Sequence, residues 1–228
     1  MLCITAVKHR TGRAHYSCYA RSMPRALLLL ACLAPGIASH AASITVRAAD
    51  ASGAPLEDAV AWAIPREPVA APATRPTAAV EQVNKAFVPM VSIVQAGTMM
   101  RFPNRDEFRH HVYSFSAAKK FEIKLYAGTP ATPIEFDKPG EVVLGCNIHD
   151  AMVGYVYVVE SPYFGKSGRD GLVRLENLPP GDYEVRAAHY LQLAPLTPDA
   201  VKLRSADANA AVEFSVPLKP RPRRLGEK

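Results

Sequence analysis

Short runs in which apolar and polar residues alternate, or in which β-branched residues cluster, recur along most of the chain. They cover Ile44 to Ala48, Val91 to Val94, His111 to Phe115, Val142 to Leu144 and Gly154 to Val159. Leu172 to Leu175, Tyr183 to Arg186 and Ala211 to Val216 follow. A period of two puts successive side chains on opposite faces, so each run predicts a strand with one face toward a core. Turn-forming pairs bound the runs: Ser52-Gly53, Pro139-Gly140, Asp170-Gly171 and Gly181-Asp182 after Pro180. Asp50, Asp58 and Asp170 stand where turn and cap residues are expected. Prolines number 20 and are spread throughout, which argues against long helices. Many short strands at regular spacing predict an all-β chain built as a sandwich or barrel. Residues 116–130 are less regular and admit one irregular helical turn.

One stretch breaks this pattern. Residues 26–35 are almost wholly apolar, follow Arg21 and Arg25, and precede Ser39-His40-Ala41. A basic flank, a short apolar run and small residues at −3 and −1 describe a secretory signal peptide, with cleavage expected after Ala41. The run is too short to span a membrane, which takes about 20 apolar residues. Met23 makes a natural start, and residues 1–22 read as an upstream extension. Residues 1–41 are therefore expected to be a leader, and the mature protein is expected to be exported to the periplasm.

Composition changes once the leader is set aside. The chain carries 27 basic and 21 acidic residues, and the leader holds five of the basic ones and no acidic one. The tail 218–228 holds five more basic residues, so the high positive charge belongs to the two ends. A nucleic-acid partner would need basic residues clustered on the fold itself, and that class is set aside. The tail reads as a solvated, disordered segment. Residues 65–79, rich in Pro and Ala, read as an extended linker. Of the four cysteines, Cys3, Cys18 and Cys32 lie in the leader, which leaves Cys146 alone. Exported proteins normally pair their cysteines, so a lone thiol needs a reason to persist, and metal ligation supplies one.

The segment around that cysteine carries the candidate chemistry. A strand-like run, Glu141 to Leu144, leads into Gly145-Cys146-Asn147-Ile148-His149-Asp150-Ala151-Met152, and a second strand-like run leaves from Val153. Cys, His and Met thus share one tight loop at Cys-x2-His-x2-Met spacing. Two histidines, one cysteine and a weak methionine suit both oxidation states of copper. Zinc would prefer harder ligands and an open water position. A cysteine nucleophile with His149 as base would lack an evident orienting carboxylate other than Asp150. The loop supplies one histidine, and the other is sought at His110 or His111, at the start of a strand. His189 lies far along the chain in a different pattern.

With these residues in view, the segment from about Phe87 to Val159 resembles the cupredoxins, the blue-copper family. Phe87 to Thr98 resembles the family's strand leading into a Gly-containing turn. Arg101-Phe-Pro-Asn104 matches the strand that ends in Asn ahead of the first His ligand. The Cys-x2-His-x2-Met loop has the short spacing of the amicyanin type. The wider run Leu144 to Asp150 is similar to exported proteins labelled methylamine-utilisation proteins. The resemblance implies a Greek-key β-sandwich over residues 80–160 and one copper ion held by His110, Cys146, His149 and Met152. In the family the ligand His is commonly followed by an Asn that braces the ligand loop. Here His111 takes that position, beside Asn147. Neighbouring strand residues face opposite sides, so one of the two histidines points at the metal, and His110 is preferred. His111, Asn147 and Asn104 are the expected outer contacts of the site.

The flanks carry a second resemblance. Residues 44–62 and 171–186 are each similar to strands of carboxypeptidase-regulatory-like β-sandwiches. That implies a discontinuous second sandwich from residues 42–64 and 165–217, with the copper domain inserted. One enlarged sandwich with extra edge strands is the alternative. The function implied is one-electron transfer by a monomeric, non-enzymatic protein, with a redox protein of the dehydrogenase or c-type cytochrome class as partner. A copper chaperone or storage module, using the same ligands, is the second reading. A binding module made by the flanking sandwich is the third.

Overall fold

The computed structural model describes residues 42–68, 75–204 and 208–219. The expected leader, the tail beyond Lys219 and the middle of the Pro/Ala-rich stretch lie outside the described residues. The chain is all-β, with seventeen strands and no helix among the described residues. In chain order they are β1 (Ala42–Asp50), β2 (Val60–Pro65), β3 (Thr77–Ala79), β4 (Glu81–Val83), β5 (Ala86–Val88) and β6 (Val91–Gln95). Next come β7 (Thr98–Arg101), β8 (His110–Ser116), β9 (Lys119–Tyr126), β10 (Ile134–Phe136), β11 (Gly140–Cys146) and β12 (Val153–Val159). The last five are β13 (Tyr163–Lys166), β14 (Leu172–Leu178), β15 (Gly181–Ala188), β16 (Asp199–Leu203) and β17 (Asn209–Val216).

Alternation explains most of them. Along β17, Val212, Phe214 and Val216 are buried, while Glu213 and Ser215 between them are exposed. Along β8, His110, Val112 and Ser114 turn inward, and His111, Tyr113 and Phe115 turn outward. Residues 116–130 form no helical turn. They contain β9, which pairs antiparallel with β8 from Ser116↔Lys119 to His110↔Tyr126. Phe121, Ile123 and Leu125 alternate with Glu122 and Lys124, and at the edge of the sheet Leu125 stays half exposed. The stretch 65–79 is strand at both ends: Pro65 closes β2, and Thr77–Ala79 pairs parallel with β7.

The strands build two hydrophobic cores. One lies between the sheet β14-β1-β17 and the sheet β13-β2-β15-β16. Ile44, Val46, Val173, Leu175, Tyr183, Val185 and Phe214 fill it. The N-terminal strands thus pair with C-terminal ones: β1 with β14 and β17, β2 with β13 and β15. The other core lies between the five-stranded sheet β6-β12-β11-β8-β9 and the sheet β10-β7-β3. Val94, Met100, Phe102, Val112, Phe136, Leu144, Cys146, Met152 and Val156 fill it. Each large apolar side chain so buried contributes about 1.5–3 kcal/mol before entropy is counted. A third cluster joins the two, with Val60 and Ala188 packed against Val91 and Tyr157.

Candidate metal centre

The site lies at one end of the second core, where β8 and β11 run side by side. The register sets Gly145 opposite Tyr113 and Cys146 opposite Val112. Gly145 makes this close fit possible, because a Cβ there would meet the Tyr113 ring at 2.7 Å. Cys146 turns inward at the end of β11, and His110 turns inward at the start of β8.

The loop after Cys146 folds as two successive turns. His149 N–H donates to Cys146 O at 3.4 Å, and Met152 N–H donates to His149 O at 2.9 Å. Each bond closes a four-residue turn, so residues 146, 149 and 152 recur once per turn. This is the local reason for the Cys-x2-His-x2-Met spacing. Asn147 N–H donates to His111 O at 3.1 Å and ties the loop to β8.

Three donor side chains meet. Cys146 Sγ lies 3.6 Å from His110 Nδ1 and 3.7 Å from His149 Nδ1. The ligand atoms of these three residues all lie within 4.8 Å of one another. His110 is fully buried, Cys146 is nearly so, and His149 is intermediate. Met152 is 2% exposed in the same core, at the end of the loop. Cys146 is the one cysteine among the described residues and forms no disulfide. A soft buried thiol facing two imidazoles is a donor set suited to a single transition-metal ion.

His111 is outside this group. Its Nε2 lies 2.8 Å from Glu122 Oε1 on the outer face, and its ring meets Tyr113 edge-on. Alternation along β8 is the reason. The loop brace expected of the His111 side chain comes from its backbone carbonyl, through Asn147 N–H. Asn104 braces a different loop. Its Nδ2 donates to Phe108 O at 2.8 Å and to Tyr126 O at 3.1 Å, and its Oδ1 accepts Asp106 N–H at 2.9 Å. It shapes the segment that leads into His110.

Two residues in that segment escape a sequence reading. Phe108 is 41% exposed, and its ring meets both the His110 and His149 rings edge-on, at 5.1 and 5.6 Å. Asp106 turns its side chain inward, with Oδ2 2.8 Å from His110 Nε2. The only signal for Asp106 is its place four residues before His110, which by itself singles out no role.

An all-β chain with a His-Cys-His cluster at one end of a sandwich core is the class that fold and site define. No family model matches the chain, and no curated protein matches it. Solved structures are similar over part of it. The copper-containing nitrite reductase of Thermus scotoductus SA-01 is 30% identical over 42% of this chain and 26% of that one, with a TM-score of 0.35. This chain thus spans about a quarter of the length of that enzyme. A reduced amicyanin carrying a single substitution is 19% identical over 36% of this chain and 80% of that one, with a TM-score of 0.32. A purple cupredoxin from Nitrosopumilus maritimus is 20% identical over 36% of this chain and 96% of that one, with a TM-score of 0.31.

Proposed function

We propose that this protein is a type 1 copper protein that carries single electrons between redox proteins in the periplasm. His110, Cys146 and His149 would hold one copper ion, with Met152 as a weak fourth ligand. The observation that carries the reading is the meeting of a buried thiol with two imidazole nitrogens at 3.6 and 3.7 Å, one of them from a segment 36 residues away. Bound there, copper supplies a one-electron couple. Thiolate, imidazole and thioether together suit both of its oxidation states.

The surrounding residues fit a carrier rather than an enzyme. Cys146 and His110 sit on paired strands, so the donors are held with little freedom. Phe108 covers both imidazoles from outside. His149 is partly exposed; Phe108, 41% exposed, meets its ring edge-on, and Ile148, next to it in the chain, is 46% exposed. An apolar patch around an exposed ligand edge suits brief docking of a redox protein, of the dehydrogenase or c-type cytochrome class, through a small interface. We further propose that β3–β12 form the copper domain, inserted into a second small sandwich built from residues 42–64 and 165–217.

The test is visible absorption of the protein from Ala42 with one equivalent of Cu(II), before and after ascorbate. An intense thiolate-to-copper band that bleaches and returns on reoxidation supports the reading. A protein that holds copper without that band supports storage or delivery instead. Absence of copper binding overturns the reading.

A further inference from the structure

Asp106 brings a carboxylate into contact with the metal cluster from its inner side. Its side chain is 7% exposed and the His110 side chain 0%. Three hydrogen bonds converge on the carboxylate. Asn84 N–H donates to Oδ1 at 2.6 Å, Lys85 N–H donates to Oδ2 at 3.0 Å, and His110 Nε2 lies 2.8 Å from Oδ2. Asn84 and Lys85 are the two residues of the β4–β5 hairpin turn, both with positive φ, at 52° and 59°. That backbone conformation is the one a two-residue hairpin requires. Here it also aims successive N–H groups at one anion.

An ionised carboxylate only accepts hydrogen bonds, so His110 Nε2 must carry the proton. The neutral ring then leaves Nδ1 bare, and Nδ1 is the atom 3.6 Å from Cys146 Sγ. A partner on the second nitrogen of a ligating imidazole fixes its tautomer and raises its basicity. The two backbone N–H groups of Asn84 and Lys85 that converge on the carboxylate favour its ionised form. The pair His111–Glu122 is different: Glu122 is 52% exposed, and the ring it meets faces away from the cluster.

We propose that Asp106 is a positioning residue that holds His110 with a bare Nδ1 and, as a negative charge one imidazole away, biases the site toward oxidised copper. This deepens the copper reading above and rests on it. Removing the charge while keeping an acceptor should weaken Cu(II) more than Cu(I). A tenfold change in that ratio raises the reduction potential by about 59 mV for one electron.

The experiment pairs two measurements on the mature protein. First, the wild type is loaded with Cu(II). Absence of the thiolate band there means that the copper reading has failed, before Asp106 is touched. Given the band, the potentials of wild type and Asp106→Asn are compared by redox titration. A rise equivalent to about tenfold or more in the Cu(II)/Cu(I) affinity ratio is expected, with the band retained. An unchanged or lowered potential overturns the proposal. Second, the imidazole nitrogen shifts of His110 are read by NMR in the metal-free protein. The wild type should show one tautomer, protonated at Nε2, and Asp106→Ala should show a mixture. A wild-type ring protonated at Nδ1 overturns the proposal even where neither variant folds.

Discussion

His110 Nδ1 and Cys146 Sγ lie 3.6 Å apart across 36 residues of chain. The contact follows from strand pairing. β11 pairs antiparallel with β8 so that Cys146 stands opposite Val112, and His110, two residues from Val112, points into the same core. Both side chains are presented by strands rather than by loose loop, and His149 joins them through the first of two tight turns. The cluster is therefore as rigid as the sheet that bears it.

Cys146→Ser should abolish the thiolate band and weaken Cu(I) binding. The loss should exceed the roughly 10–100-fold typical of deleting a hydrogen-bond partner of a ligand, because a ligand itself is lost. Equilibrium competition with a Cu(I) chelator measures it. A variant that keeps both the band and the affinity would remove Cys146 from the site.

Ile148→Lys should leave the fold and the band intact, since Ile148 is 46% exposed and such surface changes stay within about 0.5 kcal/mol. It should slow electron self-exchange by about tenfold or more at low salt, because two like charges then meet across the docking face. The rate would recover partly as salt is added. A salt-independent rate equal to that of the wild type would place docking elsewhere.

Gly171→Ala should destabilise the first core. Gly171 has φ of 71°, and a Cβ there would lie 2.5 Å from the Ala48 carbonyl oxygen. Backbone cannot swing aside as a side-chain tip can. Left-handed strain alone costs of order 1–3 kcal/mol, and the clash adds to it. Denaturant titration should show the loss. The absorption band should be unchanged wherever the variant is folded, since the cluster belongs to the other core.

His189 should make stability fall in mild acid. Its Nδ1 accepts Leu191 N–H at 3.2 Å, and its Nε2 meets Glu57 O at 3.2 Å. Burial pushes its pKa below the ordinary 6.5, against the raising effects of the Glu57 carbonyl and the Asp58 carboxylate. The unfolded chain then takes up the proton first. Stability should drop as pH falls from about 6.5 toward the depressed folded value and level off below it. Denaturant midpoints between about pH 7.5 and 5 should slope less in His189→Gln. Equal slopes would assign the acid sensitivity to other groups.

Tyr183 should act at the alkaline end. It is 2% exposed, its hydroxyl donates to Pro179 O at 2.7 Å, and burial together with Tyr163 raises its pKa from 10.0 to about 12. The unfolded chain ionises first, so stability should fall as pH rises from about 10 through the folded value. Tyr183→Phe should flatten that slope and cost about 1 kcal/mol at neutral pH through the lost hydrogen bond.

The strand content was legible because alternation is a local property. The runs around Val91, Val142, Gly154, Leu172, Tyr183 and Ala211 all lie in strands. The same alternation runs from Phe121 to Leu125 in β9, a stretch the sequence reading took as irregular. The Cys-x2-His-x2-Met spacing was also local, since each step is one turn of the loop. Alternation required only that one of His110 and His111 face inward, and the preference for His110 came from the resemblance. Tertiary structure decided the rest. Pairing of β1 with β14 and β17, across more than a hundred residues, depends on which sheet edges meet, and the sequence pointed toward it only through the resemblance of the flanking segments. Asp106 and Phe108 lie near the site because Asn104 folds their loop and because the backbone of a distant hairpin supplies N–H donors at Asn84 and Lys85. Backbone donors carry no side-chain signature, so the sequence marks Asp106 as an ordinary loop acid. Only the folded chain brings it to the imidazole.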